Sequence, residues 1–143
     1  MWSKTTEYAI RALVQVATSN MGGRRPGFRE IAESIDAPVQ FTAKILQALS
    51  KAELVNSVRG RGGGFFFDPA KPELRLSEVI LALEGDKYFT GCVVGLLKCD
   101  KDHPCPLHSE FTRIRTDLVK LAEKETIQGL AKKTIGGEGR LKR

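Results

Sequence analysis

Apolar residues at Tyr8, Ala9, Ala12, Leu13, Val16 and Ala17 recur at steps of three and four. That spacing puts them on one face of a helix and predicts a core-facing helix from about Ser3 to Thr18. The Gly and Pro density of residues 20–27 marks a turn. Phe28 to Ile35 then reads as a short helix with Ile31, Ala32 and Ile35 inward. Asp36-Ala37-Pro38 interrupts the pattern. Pro38 suits the first turn of a new helix, where its missing N–H is not needed, and Phe41, Ile45, Leu46 and Leu49 carry an apolar stripe to about Ala52. Beyond Leu54 the period changes. β-favouring residues flank Arg59-Gly60-Arg61-Gly62-Gly63-Gly64, which predicts a hairpin with a basic, glycine-rich tip.

Asp68-Pro69-Ala70-Lys71-Pro72 closes the hairpin, and Ser77 is the expected cap of a helix through about Leu83, ending near Gly85. Residues 91–108 have weak periodicity and read as a short helix or loop. Phe111, Ile114, Leu118 and Leu121, at steps of three, four and three, form an a/d seam on a helix from about Leu107 to Lys124. Such a seam wants a partner helix. Thr126 is placed to cap a last helix to about Lys133, and residues 136–143 read as a mobile, basic tail.

At 143 residues and 41% hydrophobic composition, the chain fits one ordinary compact core, and a two-domain enzyme is not expected. No apolar run spans a bilayer, and Met1-Trp2-Ser3-Lys4 lacks the apolar stretch of a signal peptide, so the expected location is the cytoplasm. The net charge of +6 is unevenly divided: residues 1–67 carry +4, residues 68–128 carry −2 and residues 129–143 carry +4. A basic excess at both ends favours a phosphate-rich partner without identifying one.

The element order is more specific than the charge. Helix, helix, turn, helix and basic hairpin is the order of a winged helix-turn-helix, in which the second helix of the turn enters the major groove. The expected fold is therefore mainly α with a small β-hairpin wing and a long dimerisation helix. It divides into a winged helix-turn-helix over 1–85, a cysteine-bearing loop over 86–108, dimerisation and C-terminal helices over 109–135 and the tail over 136–143. Gln40 and Thr42 can offer amide and hydroxyl groups to base edges, and Lys44 suits phosphate. In the wing, Arg59 and Arg61 stand beside glycines that let the backbone approach DNA. Gly60 to Gly64 is not a phosphate-cradling loop of the nucleotide-binding kind, because strand residues follow it in place of Lys-Ser/Thr and a helix.

Glu30-Ile31-Ala32, Pro38 to Leu49, Leu54-Val55 and the wing Ser57-Val58-Arg59-Gly60-Arg61-Gly62-Gly63-Gly64-Phe65 together resemble the bacterial regulator family that includes the iron–sulfur cluster regulator IscR and the nitric-oxide-sensitive repressor NsrR. Thr6 to Leu13 is similar to that family's first helix. The resemblance covers roughly residues 1–130, and the wing is its most specific part. It implies a homodimer that crosses its long helices and reads a palindromic operator on double-stranded DNA. The implied contacts come from Pro38, Gln40, Phe41 and Thr42 and from Arg59. Some cluster-binding relatives carry an acidic residue where this chain has Ala43, which puts the operator preference in question.

Cys92, Cys99 and Cys105 lie within 14 residues, with His108 three positions after the last. In a reducing compartment such clustering points to metal or redox chemistry more than to a disulfide framework, and thiolates are the usual ligands of iron–sulfur clusters. Three thiolates leave one ligand place. The resemblance supports His108, because cluster regulators of this family include Cys3His sites, and it favours a 2Fe–2S over a 4Fe–4S cluster. Glu7 is the rival fourth ligand, at a position where some relatives supply a carboxylate from the partner subunit. His103 is an outer-shell group or simply exposed. Three other readings stay open: zinc, whose structural sites usually contain a tighter cysteine pair; a cluster-free thiol switch; and Cys92 as a buried small hydrophobe beside Val93 and Val94. An enzyme would need a catalytic pair near the two histidines, and an electron carrier would not need the basic wing; neither is expected.

Overall fold

In a computed structural model, which describes residues 1–142, the first apolar stripe forms α1 (Lys4–Met21) and this helix is the axis of the core. Ala9, Leu13 and Val16 are wholly buried, and α1 is covered by α2 (Phe28–Ser34), α3 (Val39–Lys51), α4 (Leu76–Glu84) and α7 (Ile127–Ile135). Each large apolar side chain so buried contributes about 1.5–3 kcal/mol. Ser3 starts the helix by accepting from the Thr6 N–H at 3.2 Å.

α1 runs three residues beyond the predicted end at Thr18, because Asn20 is used by the tertiary structure rather than by a turn. Its amide donates to the carbonyls of Arg24 at 2.8 Å and Phe65 at 3.2 Å, and its oxygen accepts from the Phe67 N–H at 2.9 Å. The outgoing strand of the hairpin is thereby fastened to the end of α1.

The hairpin consists of β1 (Asn56–Val58) and β2 (Gly64–Phe66), antiparallel with Ser57 opposite Phe65. Phe65 also donates its N–H to the Pro26 carbonyl at 2.9 Å, so β2 lies between β1 and the chain entering α2. Helix α4 begins at Leu76, not at Ser77. The cap expected of Ser77 is supplied by other groups: Glu78, within the helix, accepts from the Arg75 N–H at 2.8 Å, and the Leu76 N–H donates to the Glu125 carbonyl at 2.9 Å. A single turn, α5 (Lys87–Thr90), precedes the cysteines, and irregular chain leads to α6 (His108–Lys124). Thr126 caps α7 by accepting from the Gly129 N–H at 2.9 Å, as its position predicts. In the tail, Leu141 is half-buried against the core. No helix among the described residues is long and apolar enough to cross a membrane.

Glu84 closes α4 onto the start of α1. Its carboxylate accepts from the Ser3 N–H and the Thr6 hydroxyl, each at 2.8 Å, at the positive end of the α1 dipole. The Ser3 N–H is the main cause that holds its pKa below the usual 4.5, with the Thr6 hydroxyl adding to it. A carboxyl whose pKa is lowered on folding stabilises the native state above its unfolded pKa, and that contribution disappears as pH falls through the folded value. Melting temperature is therefore expected to decline below about pH 4.5. A Glu84→Gln protein should melt lower at neutral pH and show a shallower decline; parallel melting curves for the two proteins would contradict this role.

Candidate nucleic-acid interface and cysteine site

The outward face of α3 presents Pro38, Gln40, Lys44 and Gln47 to solvent. Gln40, Lys44 and Gln47 are four and three residues apart, the spacing of one helical face. Gln47 belongs to this row and its place seven residues after Gln40 was the available sequence signal. Pro38 stands at the N-cap, immediately before the helix. Phe41 is half-buried and meets Tyr8 edge-on, with ring centroids 5.3 Å apart, so it fixes α3 on α1.

Thr42 is not at the surface expected for it. It is 1% exposed, and its hydroxyl donates to the Pro38 carbonyl at 2.9 Å. The physical reason is periodicity: Thr42 shares the inward face with Ile45, Leu46 and Leu49, three, four and seven residues on. It braces the first turn of α3 and has no hydroxyl to offer a base.

Arg59 and Arg61 are exposed at the wing tip. A groove of about 620 Å³ separates the wing from the end of α3, lined by Gln47, Ser50, Lys51, Ser57 and Arg59 among others. Among the described residues, Lys44, Lys51, Arg59 and Arg61 make no ion pair with a carboxylate. Their charge is free for phosphate, whereas Arg24 is engaged by Glu30 and Arg25 stacks 4.0 Å over the Phe66 ring.

The wing is held by buried geometry that charge patterning does not reveal. Removing the Asn20 amide deletes two hydrogen bonds between α1 and the wing region and a third to the Arg24 carbonyl in the turn after α1. An Asn20→Ala protein is expected to lose about 1–3 kcal/mol of stability, since net hydrogen-bond contributions are about 0.5–1.5 kcal/mol each and are not fully additive. Denaturant titration checks this; an unchanged midpoint would contradict the fastening role.

The four candidate ligands form two groups. Cys99 Sγ lies 3.5 Å from His108 Nδ1, where α6 begins, and the same sulfur lies 3.5 Å from Arg115 Nη1. Cys92 has the Cys105 thiol among its neighbours. Its thiol is held below the usual range chiefly by the Leu96 and Val94 N–H groups, with smaller contributions from the Cys105 thiol and the Gly95 N–H. All three cysteines are free and half-buried. Among the described residues, no three His, Cys, Asp or Glu side chains are gathered closely enough to hold one metal ion. The donor set nevertheless fits an iron–sulfur cluster in its chemistry: three thiols and an imidazole from one short segment, with backbone N–H groups favouring the thiolate of Cys92.

The other candidates stand apart. His103 is exposed and faces Asp100 at 3.4 Å. Glu7 pairs with Lys4 at 2.9 Å, which lowers its pKa. On α6, Ile114 is 53% and Leu121 47% exposed, so much of the predicted seam is uncovered within one chain.

The family model Rrf2, described as an iron-dependent transcriptional regulator, matches residues 2–133. Protein aau3 of Rhizobium meliloti is 30% identical over 131 residues, covering 91% of this chain and 84% of that protein. The HTH-type transcriptional repressor NsrR of Streptomyces coelicolor is 30% identical over 105 residues, covering 73% of this chain and 66% of that one. Two solved structures show the same fold. CymR, the global cysteine regulator of B. subtilis, superposes with a TM-score of 0.73 at 20% identity, covering 92% of this chain and 96% of that chain. IscR of T. potens superposes with a TM-score of 0.73 at 21% identity, covering 98% and 92%.

Proposed function

Because this chain belongs to the Rrf2 family of DNA-binding transcriptional regulators, we propose that it acts as a homodimer on a palindromic operator and senses iron–sulfur status, redox state or nitric oxide through a cluster. Cys92, Cys99, Cys105 and His108 would hold the cluster, which would supply a redox- and nitric-oxide-reactive centre. The observation that carries this reading is the approach of His108 to Cys99 at the first residue of α6. It links the ligand set to the helix whose seam is open for a second copy. Gln40, Gln47, Lys44, Arg59 and Arg61 would meet the operator, the glutamines at base edges and the cations at phosphate or the minor groove. A change in the loop over 91–107 would then alter how the two recognition helices fit successive half-sites.

The cofactor is tested by anaerobic purification with iron and sulfide analysis and absorption and Mössbauer spectra. Iron and acid-labile sulfide in equal amounts support it; a colourless protein with one zinc per chain refutes it. The separation of the four donors into two groups favours a second reading, a cluster-free thiol switch, and the CymR-like fold is compatible with it. An iron-free, zinc-free protein whose operator affinity changes on thiol oxidation would establish that alternative.

A further inference from the structure

Resting on the cluster reading, we infer that Arg115 is a positioning residue that clamps the cysteine loop to α6 and sets the reduction potential of the centre held there. The side chain is half-buried and reaches two points of the loop at once. Nη2 donates to the Gly91 carbonyl, next to Cys92, and Nη1 donates to Cys99 Sγ at 3.5 Å. Phe111 supports the guanidinium, 5.6 Å from its ring centroid. Arg115 is seven residues after His108, about two turns on, so the two lie on the same face of α6 and both contact the Cys99 sulfur.

A guanidinium suits this task better than an ammonium. It is permanently charged, and its planar fork can serve a carbonyl and a sulfur in fixed directions together. Among the described residues its Nε is buried without a hydrogen-bond partner, which leaves donor capacity in a side chain already in contact with Cys99. A buried N–H without an acceptor is costly, and a negatively charged sulfur-rich group is the natural acceptor. Positive charge and hydrogen bonds at a ligand sulfur stabilise the more negative, reduced state of a cluster and raise its potential.

Arg115 therefore has two separable effects, one of charge and one of fork geometry, and Arg115→Gln and Arg115→Lys distinguish them. In the anaerobically loaded full chain, Arg115→Gln is expected to shift the midpoint potential downwards, and Arg115→Lys to stay near wild type. In the metal-free full chain, tryptic cleavage after Lys98 and Lys101 should be faster by about tenfold in both variants, the scale expected from losing a charge-assisted hydrogen bond. Cleavage after Arg59 and Arg61 in the wing should be unchanged and serves as the internal reference. Equal potentials in wild type and Arg115→Gln overturn the electrostatic role, even if the loop opens. Equal cleavage rates overturn the clamp. A wild-type protein that holds no iron or sulfide refutes the cluster reading instead, and the cleavage comparison then still decides whether Arg115 clamps the loop.

Discussion

Replacing Gly64 with Ala is expected to detach the wing and to remove most operator affinity. Gly64 has φ +145°, and a Cβ placed on it would lie 2.2 Å from the Arg25 carbonyl oxygen and 2.8 Å from that of Pro26. Those neighbours are backbone, so β2 must move away, which breaks the Phe65 N–H bond to Pro26. Overpacking of this kind costs about 1–3 kcal/mol, and the lost hydrogen bond adds about 0.5–1.5 kcal/mol. The functional effect should be larger than the loss of stability alone suggests, because Arg59 and Arg61 are carried by the displaced tip. An affinity loss of at least about tenfold is expected in gel-shift titration, together with a smaller salt slope as phosphate contacts disappear. A stable Gly64→Ala protein with wild-type affinity and salt slope would contradict the placement of the wing on DNA.

Replacing Cys99 with Ala is expected to have the largest effect at the other end of the molecule. Among the described residues Cys99 is the one cysteine whose sulfur contacts both His108 and Arg115, so its removal takes away a proposed ligand and a contact that holds the loop on α6. Disturbing groups that merely orient a metal ligand costs about 10–100-fold in metal affinity, and deleting the ligand should cost at least that much. Iron and sulfide content should fall at least about tenfold under limiting reconstitution. The winged region should be unaffected, since α1, α2 and α3 form their core without this segment. Full cluster content in Cys99→Ala would exclude it as a ligand.

The features legible in the sequence are those set by neighbours along the chain. Ser3 and Thr126 announce their helices because a cap acts within three residues, and the stripe from Phe41 to Leu49 locates α3 because a helix repeats within one turn. Thr42 shows the limit of reading chemistry without direction: its hydroxyl suits a base edge, yet the same stripe turns it inward. Ser77 was outranked as a cap by Glu78 and by the Glu125 carbonyl, 49 positions after Leu76.

Asn20, Glu84 and Arg115 were missed for a common reason. Their partners are remote in sequence, up to 81 residues away for the Ser3–Glu84 pair, and no local period encodes such a bond. At the cysteine site the residue types were legible and their pairing was not. Spacing alone gives four donors in a row; the fold sets Cys99 beside His108 and puts Cys105 near Cys92.

We propose that the state of the cysteine site governs DNA binding by the winged region. It is tested most directly by gel-shift titration of the anaerobically purified full chain, loaded and cluster-free, against a duplex selected by the protein from a random pool. Wild type should bind that duplex with different affinities in the two states, and Cys99→Ala should bind with one affinity under both treatments. Equal affinity of loaded and cluster-free wild-type protein would contradict the coupling.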